Sequence, residues 1–127
     1  MNMVLLIAHG SRREQSNDEV REVAKRLEEV AAGSFDGVVP AFLELAEPSI
    51  QSGVALCSEA GARAVTVVPY FLSAGRHVVE DIPRELDEAV KQHPQLQIHL
   101  CQHIGGHPEM PRLLYRSALG PRKGEKS

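Results

Sequence analysis

AVTVVPYFLSAGRHVVEDIP, residues 64–83, runs from a β-branched segment through a loop and into a helical pattern. The valines up to Val68 suit a strand covered on both faces, and Pro69 ends it. Gly75 lies in the loop, His77 stands just ahead of the helix, and Asp81 falls inside its first turns. Pro83 falls there too, where a missing N–H costs little. A strand that delivers a histidine into a loop points to chemistry at the strand's carboxyl end. The N-terminus repeats the arrangement, because the apolar run MVLLIA, residues 3–8, ends in His9-Gly10-Ser11.

Between these two stretches, Val20, Val23, Ala24, Leu27, Val30 and Ala31 recur at helical spacing over residues 16–32. Ser16 or Asn17 is the expected cap and Gly33 the stop. VVPAFL, residues 38–43, reads as a second strand whose Pro40 suits an edge. Pro48 fits the first position of a helix that buries Ile50, Val54, Ala55 and Leu56 and closes at Gly61. After the opening stretch, a helix over 78–92 is expected to bury Val78, Val79, Ile82, Leu86, Ala89 and Val90. A fourth strand follows at 96–101, then a helix over 108–119 with Met110, Leu113 and Leu114 inward. Residues 120–127 form a polar, basic tail, expected to be disordered. Strict alternation of strand and helix predicts an α/β three-layer sandwich over residues 1–119. It is a single domain in which a four-stranded parallel sheet is flanked by helices on both faces. Ligands of such sheets sit outside the carboxyl ends of the strands, which places His9, Glu44, His77 and His103 on one rim.

Composition removes several functions. A chain of 127 residues, 43% apolar, builds one core but is short for enclosing a large substrate, so a partner chain is a candidate to complete the site. A net charge of -3 and a pI near 6.1 provide no basic field for nucleic acid. Cys57 and Cys101 have neither CxxC spacing nor the density of a disulfide framework, which fits reduced thiols in the cytoplasm. No signal-peptide pattern and no run of about 18 apolar residues is present, so no membrane partner is expected. The phosphate loop, the dinucleotide fingerprint and the hydrolase elbow are also missing.

The remaining candidates are polar residues on the predicted rim. His9 and His77 are the candidate catalytic and metal-binding pair. Glu44, also at a strand end, can ligate a divalent ion or accept a proton, or it can serve as helix N-terminal charge, the better reading for Glu47. Two imidazoles and a carboxylate suit Fe²⁺, Co²⁺, Ni²⁺ or Zn²⁺ and leave coordination positions open. Arg12, Arg13 and Arg76 are placed to grip carboxylates of an acidic ligand, although any one of them alone reads as surface charge. Tyr70, Phe71 and Leu72 either wall a flat apolar pocket or pack the loop on the core. Asp81 either orients His77 or faces the helix N-terminus. His99, His103 and His107 recur every four residues, but Gly105-Gly106 interrupts any helix that would align them. A phosphohistidine chemistry at His9 is disfavoured by Ala8, where an arginine would be wanted.

Taken together, LLIAHGSR (5–12), FLELAEPSI (42–50), VVPYFLSAGRHVVEDIP (67–83) and GGHPEMPRLL (105–114) resemble the sirohydrochlorin chelatase family. These are the CbiX/SirB-type class II chelatases, which insert Co²⁺ or Fe²⁺ into a tetrapyrrole without ATP. The resemblance spans nearly the whole chain up to the tail and is to the short, single-lobe form. It implies a homodimer whose copies face each other across the tetrapyrrole site, with no prosthetic group and a divalent metal (Co²⁺, Fe²⁺ or Ni²⁺) as substrate. Carried over by residue, it makes His9 and His77 metal-binding and catalytic, with Glu44 as third ligand or proton acceptor. It gives weaker support to Arg12, Arg13 and Arg76 as substrate contacts. The alternative from another class is a metal or tetrapyrrole carrier without turnover.

Overall fold

The computed structural model describes residues 1–121. Its strands are β1 (Asn2–Ala8), β2 (Gly37–Phe42), β3 (Ala64–Pro69) and β4 (Gln97–Leu100). Its helices are α1 (Glu14–Val30), α2 (Ile50–Glu59), α3 (Ile82–Gln92) and α4 (Met110–Leu119). A π-helical turn over His77–Asp81 leads into α3, and a single 3₁₀ turn over Ile104–Gly106 precedes α4. The sheet order is β2-β1-β3-β4 with every pairing parallel, so β2 is an edge, as Pro40 requires.

Alternation along β1 explains the layers. Met3, Leu5 and Ile7 point to one face and join Val65 and Val67 of β3, Ile50, Val54 and Cys57 of α2, and Ile82, Leu86 and Ala89 of α3 in the main core. Val4, Leu6 and Ala8 point the other way and are equally buried, on the face that carries Ala24 of α1. Each fully buried Leu or Ile contributes roughly 1.5–3 kcal/mol. Leu5 and Ile7, both at 0% exposure, therefore make β1 the stable axis from which His9 emerges.

Several expectations need correction. Helix α1 starts at Glu14, and its N-cap Arg13 offers no side-chain bond, so neither Ser16 nor Asn17 is the cap. Asn17 is buried and clamps the preceding loop instead, accepting from Ser11 N at 2.9 Å and donating to Ser11 O at 2.8 Å. Ser49, rather than Pro48, opens α2, its hydroxyl accepting from Ser52 N at 3.1 Å. Gly53 and Cys57 replace Leu56 on the buried face, because an added Cβ at Gly53 would press on Leu5 and Ala41. Val30, Leu56 and Val79 are exposed. Helix α4 has no buried residue, and Leu113 and Leu114, expected inward, are 58% and 61% exposed. In the tail, Gly120 closes α4. The disorder expected of the tail lies, from residue 122 onward, outside the described residues.

Candidate active site

Parallel pairing brings the carboxyl ends of β1, β2 and β3 together, since Ala8 pairs with Phe42 and Ile7 with Pro69. Beyond these pairs the backbones stay in contact, with Glu44 N donating to His9 O at 3.1 Å and Tyr70 N to Ile7 O at 2.7 Å. Gly10 makes the first of these approaches possible. Its φ is +97°, and a Cβ there would overlap the Glu44 carbonyl oxygen. Leu45, next to Glu44, also has positive φ (65°), a strained conformation for a non-glycine residue. On the other side, Gly105 lies against Leu72, where no side chain fits, and its N–H donates to Phe71 O at 2.9 Å.

This backbone frame assembles the predicted residues. His9 Nε2 lies 2.9 Å from Glu44 Oε2, and the His9 and His77 rings meet edge to face with centroids 4.6 Å apart. His77 Nδ1 lies 2.6 Å from Asp81 Oδ2, and Asp81 Oδ1 accepts from Arg84 Nη2 at 2.7 Å. The hydrogen bond from His77, reinforced by Arg84, holds the Asp81 carboxyl below the usual carboxylate range. Glu44, His77, Asp81 and Arg84 line one open hollow. A second, apolar hollow is lined by Tyr70, Phe71, Leu72 and Ile104, and Phe71 lies 6.4 Å from the His9 ring, centroid to centroid. Among the described residues no trio of His, Cys, Asp and Glu forms a ready-made metal cage. His9, Glu44 and His77 meet as two contacting pairs that share His9, half exposed and adjustable.

The arginines are placed less decisively. Arg13 donates to Gln15 at 3.1 Å, Arg76 pairs with Glu80 at 3.4 Å, and Arg12 is exposed. His99 lies in β4, His103 precedes the 3₁₀ turn, and His107 Nδ1 accepts from Glu109 N at 3.0 Å, so the three do not form a ladder. Cys57 is buried and its thiol is pushed up to about 11 by that burial, which leaves it chemically quiet. Arg84 is not singled out by the sequence, and Asn17 enters its reading only as a candidate helix cap. Arg84 lies i+3 from Asp81, a spacing that carries a signal once Asp81 is known to bind His77. Asn17 is recognisable only from its burial.

The CbiX family profile matches residues 3–119. The chain belongs to the CbiX family. Among its relatives, the chloroplastic sirohydrochlorin ferrochelatase of Arabidopsis thaliana is 38% identical over 104 residues, covering 82% of this chain and 45% of the relative. The sirohydrochlorin chelatase SirB of Bacillus subtilis subspecies spizizenii, solved in complex with cobalt, superposes with a TM-score of 0.81 at 30% identity. That match covers 93% of this CbiX chain and 50% of SirB. A CbiX protein from Marinobacter aquaeolei VT8 superposes with a TM-score of 0.72 at 32% identity, covering 94% of both chains. The chain spans about half the length of the curated relatives it matches. The CbiX lobe thus occurs both as half of a longer chain and as nearly all of a short one. No described helix is long and apolar enough to cross a membrane.

Proposed function

We propose that this protein is an ATP-independent sirohydrochlorin chelatase, inserting Co²⁺ or Fe²⁺, with Ni²⁺ as a further candidate, into the tetrapyrrole in the cytoplasm. The observation that carries the reading is the convergence of His9, Glu44 and His77 on one open rim. Imidazole and carboxylate donors hold such ions and leave positions free for pyrrole nitrogens. As the metal enters, it displaces the His9–Glu44 hydrogen bond, and a histidine or Glu44 accepts the protons released by the pyrroles. The apolar hollow at Tyr70 and Phe71 suits the flat face of the ring. Arg12, Arg13 and Arg76 are available to its carboxylates, their present contacts being exposed and weak. The test is anaerobic incubation with sirohydrochlorin and Co²⁺. Many equivalents of metallated product per protein are expected, whereas a spectral change that stops at one equivalent would make the protein a carrier.

We further read residues 1–119 as one lobe that works as a homodimer, each copy standing in for the second half of a longer relative. The exposed apolar side chains of α4 (Leu113, Leu114, Tyr115 and Leu119) give that partner a surface to cover. Leu113→Asp combined with Leu114→Asp should leave the lobe folded, since neither side chain is buried. Sedimentation is expected to shift to monomer, with metal insertion falling in parallel. A dimer of unchanged stability would exclude α4 from the interface.

A further inference from the structure

We propose that Asp81 is the positioning residue for His77: it fixes which ring nitrogen is offered to the metal, and Arg84 is the strut that keeps Asp81 in place. The inference rests on the chelatase reading above. A neutral imidazole has one N–H and one lone pair. Asp81 as a carboxylate only accepts, so the 2.6 Å contact requires the proton on Nδ1 and leaves the lone pair on Nε2. Without that partner the ring would divide between two tautomers and turn about its own bonds. The second carboxylate oxygen is committed as well, accepting from Arg84 Nη2 at 2.7 Å, so Asp81 cannot rotate away without losing both bonds.

Burial follows the same order. The Asp81 side chain is 19% exposed, against 44% for His77 and 64% for Arg84, so the carboxylate is the sheltered link and water competes least there. The backbone fixes its position too. Asp81 ends the π-helical turn, and Ile82, fully buried, donates its N–H to His77 O across that turn. The carboxylate and the imidazole are therefore both referenced to the core of α3. His9 differs: its Nε2 donates to Glu44, which leaves its lone pair on Nδ1. Only His77 thus keeps its carboxylate partner when the metal displaces the His9–Glu44 bond. Outer carboxylates of this kind typically change metal affinity about 10–100-fold.

The test uses two readouts that do not involve turnover: nitrogen NMR of histidine-labelled protein, and Co²⁺ affinity from visible titration without tetrapyrrole. In Asp81→Asn, the side-chain amide can donate toward Nδ1, so His77 Nε2 is expected to change from lone-pair to protonated signature. The Co²⁺ Kd should weaken by about 10–100-fold. In a His77→Ala background, Asp81→Asn should produce no further loss. Arg84→Gln, at an exposed position, should move both readouts in the same direction by less, and it carries the test alone if Asp81→Asn fails to fold. An unchanged His77 tautomer, or an equal loss of Co²⁺ affinity with His77 absent, would overturn the proposal. A wild-type protein that binds Co²⁺ with the expected tautomer but never metallates sirohydrochlorin would overturn the chelatase reading and leave the role of Asp81 standing.

Discussion

His77→Ala is expected to slow Co²⁺ insertion into sirohydrochlorin by about 100-fold or more, and His9→Ala to do the same, while each variant keeps the far-UV spectrum and thermal midpoint of the parent. The reason lies in where the residues stand. Both side chains are close to half exposed, at 46% for His9 and 44% for His77, and neither belongs to the core cluster, so truncation leaves no cavity. Their rings meet at 4.6 Å, and each is tied to its own carboxylate. Groups that act on one ion as a unit are not additive, so the double variant should lose little more than either single one. Initial rates followed by absorbance under anaerobic conditions check this. Full activity of the double variant would remove these histidines from the site and leave the proposed reaction to other residues.

Gly10→Ala is expected to damage stability and chemistry together. Its φ of +97° is a conformation that L side chains rarely adopt, costing on the order of 1–2 kcal/mol. The new Cβ would also overlap the Glu44 carbonyl, which is backbone and cannot swing aside. The β1 and β2 loops must then separate, with a combined cost of about 2–4 kcal/mol and a drop in Tm on the order of 10 °C. Separation breaks the Glu44 N to His9 O bond and draws His9 away from Glu44, so insertion should fall further than the stability loss accounts for. Calorimetry and rates on the same preparation check the two effects. A variant with unchanged Tm would show that the loops can part freely and that the close approach holds nothing in place.

The parallel sheet was legible because its signals are long and agree with one another. MVLLIA and the valines after Ala64 are unbroken apolar runs, and Pro40 marks the edge that β2 occupies. The rim followed from topology, which brought His9, Glu44 and His77 together without a contact being visible in the sequence. What the sequence does not reveal depends on tertiary packing. Asn17 looks like a cap by type, yet burial against the Ser11 backbone decides its role. Helix α4 has an amphipathic pattern that reads as inward, but amphipathicity does not say whether the surface that covers a helix belongs to the same chain. The π-helical turn has no periodic signature at five residues, so helical spacing counts Val79 on a buried face from which the extra residue turns it away.

That turn has a consequence for how the site is built. A regular helix would rank His77 and Ile82 on different sides, whereas the bond from Ile82 N to His77 O stacks them in successive layers. The surplus residue acts as a vernier between the core and the rim: α3 keeps the rotational phase that buries Ile82, Leu86 and Ala89, while the imidazole is carried to the rim from the same backbone reference. Packing and the proposed metal chemistry share a single short segment, which thus holds the two in a fixed register.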